Sequence, residues 1–352
     1  MVGAGRVGHH HSEVLARFVP GASLAAAVEP LDEVLQRLVG EFGYERGFHS
    51  LEEALNGAHF DAVIITVPTG LHEQMAVAAA EAGKHVFLEK PMALTLAACD
   101  AIIEAASRRG VCLQIGFMRR FQPEFVEAAR RIEAGEIGQV MMIKSLTHGP
   151  GLPPAWARDL KTSNGMLAEV NSHDWDCIRW LAGSNYQRVY TEVANFKGER
   201  LGVQEERFYD TALVNVRFES GALGSIAGIC PCEYGYDARV EIVGERGILQ
   251  IGDMKGLPVV VGIQRDQGLV TPVHRTWGER FAWGYIYELQ HFVECARTGM
   301  MPRVAGEDGR WAVAGVLAAT QSMLENRPVD LAEILQERVV QAARTWERRE
   351  GP

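Results

Sequence analysis

Three groups of residues have types and spacings that could do chemistry. The chain opens with Gly3-Ala4-Gly5-Arg6-Val7-Gly8, a G-x-G-x-x-G run leading into a helical pattern. In a strand-turn-helix unit the first glycine permits the tight turn and the second lets a pyrophosphate approach the backbone. The third lets helix pack closely on strand. Glu29 follows Gly8 by 21 residues at the end of an apolar run, where a carboxylate can accept hydrogen bonds from adenosine ribose hydroxyls. The same charge repels a 2′-phosphate, and no arginine lies in Glu29-Pro30-Leu31-Asp32, so NAD is expected rather than NADP. A glycine-rich turn beside a surface glutamate is the competing reading.

The second group is Glu89-Lys90-Pro91, which closes the run HVFLE. The carboxyl ends of parallel strands border the ligand crevice. There the Lys90 ammonium could orient a substrate hydroxyl and stabilise developing alkoxide charge while Glu89 holds it by charge; a structural ion pair would leave the same trace. The third group runs from Gly165 to Leu181 and includes Glu169, His173 and Asp176. On one continuous helix these fall on one face. Histidine suits proton removal near neutral pH, and a carboxylate one turn away can orient its ring. On spacing, a general base, a Glu/His/Asp metal site and a core histidine satisfied by acids all stay open. His9, His10 and His11 are expected in a solvated first helical turn, because adjacent residues on a helix do not face one another.

The elements that must position these groups follow from periodicity. Strand-like runs at 24–28, 62–67, 85–89 and 111–116 alternate with helical segments such as 72–83 and 96–110, each ending in glycine. That alternation predicts a doubly wound parallel α/β sheet with right-handed crossovers. After a helix near 121–134 the grammar changes. Strand candidates at 139–147, 186–196, 208–218, 222–229, 238–243 and 247–251 follow one another, predicting a second, α+β domain with a large, mostly antiparallel sheet. Helical segments near 284–298 and 307–325 follow, with a last helix around 331–348 that could pack on the first domain. The predicted division is 1–118 and 119–352. The stretch Gly149–Asn164, with three prolines and Trp156, is a candidate substrate loop by its length. Only Met1 and Val2 precede the glycine run; the expectation is a shortened first strand that leaves its neighbours with unpaired backbone groups.

Composition excludes several classes. The 352 residues carry a net charge of −10, which argues against a nucleic-acid partner. Apolar residues are 47% and charged residues 23%, which excludes a disordered or collagen-like chain. No apolar run is long enough to span a membrane and no secretory pattern is present, so a cytoplasmic protein is expected, with its six cysteines reduced.

Taken together, the glycine loop, the Glu-Lys-Pro strand end and the His-x-x-Asp segment resemble the Gfo/Idh/MocA family of NAD(P)-dependent sugar and polyol dehydrogenases, over nearly the whole chain. Gly116-Phe117-Met118-Arg119-Arg120-Phe121, Cys232 to Asp237 running into Glu241 to Glu245, and Arg280-Phe281 with Tyr285 and Glu288 are similar to its inositol 2-dehydrogenase branch. The resemblance implies an N-terminal Rossmann domain and a catalytic Lys90–His173 pair. In that pair His173 removes a carbinol proton, Lys90 positions the hydroxyl, and Glu169 stands where many relatives carry aspartate. It further implies that Gly3, Gly5, Arg6, Val7, Gly8, Glu29, Thr66, Pro68, Thr69, His72, Glu89 and Lys90 bind or border the cofactor. Arg120, His148 and Tyr236 would reach ring hydroxyls, against a bland reading of Arg120 as an interdomain ion pair and of Tyr236 as a sheet-face aromatic. Asn164 and Asn171 stand where relatives often have glycine. No metal is expected. The implied substrate is a cyclitol such as myo- or scyllo-inositol, with a pyranose sugar or glycoside second, and the implied assembly is a homo-oligomer, tetramer or dimer. The class set against an enzyme is a dinucleotide-binding sensor.

Overall fold

The structure is a computed structural model that describes residues 1–253, 261–263, 268–270 and 273–336. In the first half, helices and strands alternate as α1 (Arg6–Phe18), β1 (Ala26–Val28), α2 (Asp32–Phe42), β2 (Arg46–Phe48), α3 (Leu51–Gly57), β3 (Ala62–Ile65), α4 (His72–Glu81), β4 (His85–Leu88), α5 (Leu96–Arg109) and β5 (Leu113–Ile115). Strands β1–β2 and β3–β4–β5 are parallel. Val2 bridges both groups, pairing with Val28 and Ile65. The expectation of unpaired neighbours is corrected at this point: Val2 donates to Ile64, Thr66 donates to Val2, and Val28 donates to Met1. Helix ends obey local chemistry. Thr95 caps α5 by accepting from Ala98, and Gly110, at φ 64°, ends it in the left-handed region that glycine tolerates best. In β4, Val86, Phe87 and Leu88 are all fully buried, as a parallel strand covered on both faces requires.

The second half continues with α6 (Pro123–Glu133), β6 (Val140–Pro150), α7 (Ala155–Arg158), α8 (Leu160–Ser163), α9 (Met166–Glu169), α10 (Ser172–Ala182), β7 (Tyr186–Ala194), β8 (Thr211–Phe218), β9 (Leu223–Cys232), β10 (Asp237–Gly244), β11 (Ile248–Ile251), β12 (Val261–Ile263), β13 (Gly268–Val270), α11 (Trp277–Arg280), α12 (Ala282–Thr298), α13 (Gly306–Glu325) and β14 (Val329–Asp330). Seven strands form one sheet in the order β11-β10-β6-β9-β8-β7-β14. Only its β6–β9 pair is parallel. Burial along β8 alternates, so one face is packed and the other open. Helices α10 and α13 lie on the packed face, while α12 and α13 also reach back to α1, α5 and β5. Gly309 makes the approach to β5 possible, because a Cβ there would stand 3.1 Å from the Ile115 side chain and 2.8 Å from Met92 Sδ. The helix expected at 331–348 lies outside the described residues beyond position 336. Among the described residues no helix is long and apolar enough to cross a membrane.

Candidate active site

The carboxyl ends of the parallel strands bring the glycine loop, Glu29, Thr66 to Thr69 and Glu89-Lys90 to one edge of the sheet. Gly3 turns at φ 94°, and its carbonyl accepts from Thr66 Oγ1 at 2.8 Å. A Cβ on Gly8 would stand 2.0 Å from the Gly3 oxygen, whereas one on Gly5 would meet nothing within 4 Å. The Gly5 side of the turn is therefore open, and it caps α1 with no side chain to satisfy the helix's free N–H groups. Such a terminus attracts an anion. Beside it lies a cleft of about 440 Å³ bordered by Ala4, Arg6, Glu29, Leu31 and Arg37. Glu29 accepts from the Ala4 and Leu31 amides at 3.0 and 3.2 Å. An open pyrophosphate cradle next to a fixed carboxylate fits NAD.

Deeper along the edge, Lys90 Nζ donates to the Glu169 carbonyl at 2.7 Å. Thr69 Oγ1 donates to the Glu169 carboxylate, also at 2.7 Å. Burial pushes the Glu169 carboxyl up to about 7, with Lys90 and Thr69 pulling the other way. His173 lies in the first turn of α10 and its ring packs edge-on against Phe117, centroids 5.8 Å apart. Burial first, then the charges of Lys90 and Arg119, hold its imidazole well below the usual range. A neutral imidazole, a nearby ammonium and a carboxyl that titrates close to neutrality make a site able to take and pass a proton.

Comparison with known proteins decides the family. Residues 1–117 match the Gfo/Idh/MocA oxidoreductase family's NAD-binding Rossmann fold, and residues 129–331 match its C-terminal alpha/beta domain. This chain belongs to the Gfo/Idh/MocA oxidoreductase family. It is 36% identical over 334 residues to scyllo-inositol 2-dehydrogenase (NAD(+)) of Bacillus subtilis, covering 94% of this chain and 95% of that protein. It is 32% identical to myo-inositol 2-dehydrogenase of Thermotoga maritima, covering 95% and 98%. The structure of scyllo-inositol dehydrogenase from Lactobacillus casei with bound NAD(H) and scyllo-inositol superposes with a TM-score of 0.85 at 28% identity, covering 94% of this chain and 98% of that one. The family's Rossmann sheet, its larger antiparallel sheet and its NAD-dependent oxidoreductase chemistry are thus those of this chain.

Within this family frame, several sequence expectations are revised. The helix assumed to run through Glu169, His173 and Asp176 is broken at Val170 and Asn171, so α9 and α10 are separate. On α10, Asp176 is paired with Arg120, which bonds it at 2.6 to 3.1 Å and also reaches Asp308 at 2.8 Å. Arg120 is therefore engaged in ion pairs within the second half of the chain, rather than across the two domains, and its guanidinium is not left open to a ring hydroxyl. His148 lies on the sheet face opposite Ser145 and Thr147 by strand alternation, and it bonds Tyr234. His72 is buried with its ring nitrogens on the Pro91 and Val67 carbonyls, both at 2.8 Å, so it braces the loop that follows β3 against the Lys90-Pro91 turn. The Lys90 ammonium acts on Glu89 by charge, and the Glu89 Oε2 also accepts the Lys90 amide at 3.0 Å. His11 is fully buried, unlike a solvated first turn.

Sequence reasoning also missed residues. Arg119, one position from Arg120, is the guanidinium whose charge bears on His173. It bonds Asp174 at 2.8 Å and Thr147 at 2.5 Å, with Tyr236 beside it. Both arginines lie on one turn of 3₁₀ helix, Met118–Phe121, and no composition signal separates them. Arg37 of α2 borders the same cleft as Glu29, too far along the chain to be read with it. Asn164 is left-handed at φ 62°, a conformation that asparagine tolerates, which explains its place where relatives often have glycine. The Gly149–Asn164 stretch is folded into α7 and α8, and Arg158 ties it to Glu205 at 2.5 Å.

Proposed function

We propose that this chain oxidises a secondary ring hydroxyl of a cyclitol, myo- or scyllo-inositol, to the ketone. The convergence of Lys90, Glu169 and His173 beside the glycine-loop cleft carries this reading, and the inositol dehydrogenases among its relatives support the substrate class. Bound NAD supplies the hydride acceptor. Lys90 donates to the substrate oxygen and favours its anionic character, and His173, neutral before the reaction, takes the hydroxyl proton. Glu169 holds Lys90 through its carbonyl while its carboxyl, braced by Thr69, is placed to accept from a neighbouring ring hydroxyl.

Residues 1–118 serve as the cofactor domain and 119–352 as the substrate and assembly domain. The open face of the seven-stranded sheet carries an apolar row, Ile248, Val243, Met142 and Leu223, with Leu146, Ala227 and Leu213 below it. Leu213 is 59% exposed and Ile248 53%. Such a face fits a homo-oligomer in which a second copy covers it.

The test is reduced-nucleotide absorbance at alkaline pH with myo-inositol, scyllo-inositol, glucose, galactose and a glycoside, with NAD and NADP in parallel and EDTA throughout. Turnover of an inositol with NAD is expected. Turnover of a sugar or glycoside alone would mean that the α7–α8 loop sets a different substrate, and dependence on metal would contradict the mechanism.

A further inference from the structure

Glu89 ends the strand that delivers Lys90, and its carboxylate turns inward, 6% exposed. One oxygen accepts the Lys90 amide at 3.0 Å and the other meets His11 Nε2 at 2.7 Å. His11 belongs to α1, the helix that begins at the glycine loop. Glu288, from α12 in the other half of the chain, closes the group: atoms of His11, Glu89 and Glu288 lie within 4.8 Å of one another. Both Glu288 oxygens are buried without a partner. Gly116 keeps the space, since a Cβ there would come 3.1 Å from the Glu89 carboxyl.

We propose that Glu89 is a positioning residue that fixes the backbone of Lys90 to the helix of the glycine loop. The inference rests on the reading of Lys90 as the residue that orients substrate. A long lysine side chain reaches a defined point only if its own backbone is held, and an ionised acceptor holds two donors more firmly than a neutral one. Burial works against the Glu89 charge, yet His11 and the Lys90 amide and ammonium keep its carboxyl below the usual range. Burial and then the Glu89 charge push Glu288 well above it. Glu288 is therefore a neutral acid facing an ionised one, within reach to donate a third hydrogen bond to Glu89 through one water. Tyr285, on the same helix as Glu288, covers the group from the other side, its ring 5.7 Å from that of His11.

The test is a double-mutant cycle on kcat with Glu89→Ala, Lys90→Ala and both together, run in parallel with His11→Gln in place of Glu89→Ala. Melting temperature and NAD binding by fluorescence serve as folding controls. A misplaced reactive group costs about a hundredfold. Glu89→Ala is expected to lose that much in kcat with NAD affinity nearly kept, and Glu89→Gln, which retains one acceptor, recovers part of it. In the Lys90→Ala background neither Glu89→Ala nor His11→Gln lowers kcat further. Multiplying losses in both cycles would overturn the proposal, as would a tightly bound zinc ion in the wild type that Glu288→Gln abolishes. If Lys90→Ala alone keeps full kcat, the reading of Lys90 fails instead.

Discussion

The ammonium of Lys90 and the carbonyl of Glu169 meet at 2.7 Å, joining the edge of the parallel sheet to the short helix that precedes His173. This contact ties the first half of the chain to the second at the proposed catalytic site. In the proposed mechanism Lys90 donates to the developing alkoxide, so Lys90→Ala is expected to lower kcat by about 10²–10³. NAD affinity, measured by fluorescence quenching, should stay within about threefold, a change of less than 1 kcal/mol.

His173 should behave as a base whose acid limb lies low. Burial and the charges of Lys90 and Arg119 depress its pKa well below 6.5, so the imidazole stays unprotonated through neutral pH. The kcat profile is expected to show no loss from His173 protonation until the pH is well under that value. His173→Ala should lower turnover by about 10²–10⁴ with NAD binding spared. Near wild-type turnover of that variant would remove His173 from the mechanism.

The two ends of the glycine loop should respond in opposite ways. Gly8→Ala places a Cβ 2.0 Å from the Gly3 oxygen. It should destabilise the fold by about 1–3 kcal/mol, read as a lowered melting temperature. Gly5→Ala meets no protein atom within 4 Å. It should leave the melting temperature unchanged and weaken NAD by about tenfold or more, close to 1.4 kcal/mol. Glu29→Ala should likewise weaken NAD with turnover at saturation kept.

Glu288 gives a stability signature. Its folded-state pKa lies well above the ordinary 4.5, so the native state holds a proton that the unfolded chain releases. Its contribution is full below pH 4.5 and falls as pH rises through the folded value. The groups facing it are Glu89, His11 and Tyr285. Glu288→Gln keeps a neutral side chain at every pH, so its melting temperature relative to wild type should rise as pH increases above 4.5. A constant difference would mean that Glu288 is not protonated in the fold.

Period and punctuation made most of the architecture legible. The run 85–89 is a strand because three consecutive apolar residues are buried on both faces, and 96–110 is a helix between Thr95 and Gly110. The parts of the site that depend on side-chain direction were not legible. Helical spacing put Glu169, His173 and Asp176 on one face, but the break at Asn171 separates Glu169 from α10, and within α10 the Asp176 carboxylate is taken up by Arg120. Arg119 and Arg120 are adjacent and chemically identical, and only a tight 3₁₀ turn assigns one to the side of His173 and the other to ion pairs with Asp176 and Asp308. His11 joins Glu89 and Glu288 across 78 and 277 positions of chain, a contact that tertiary packing alone creates.

The most direct measurement follows a label. Scyllo- or myo-inositol carrying deuterium on the reacting carbinol carbon is incubated with the protein and NAD in the presence of EDTA, and the reduced nucleotide is analysed by mass. The account predicts that the deuterium appears in the nucleotide, that the rate falls relative to unlabelled substrate, and that His173→Ala suppresses the transfer. Loss of the label to water, or conversion of the substrate without reduced nucleotide, would contradict it.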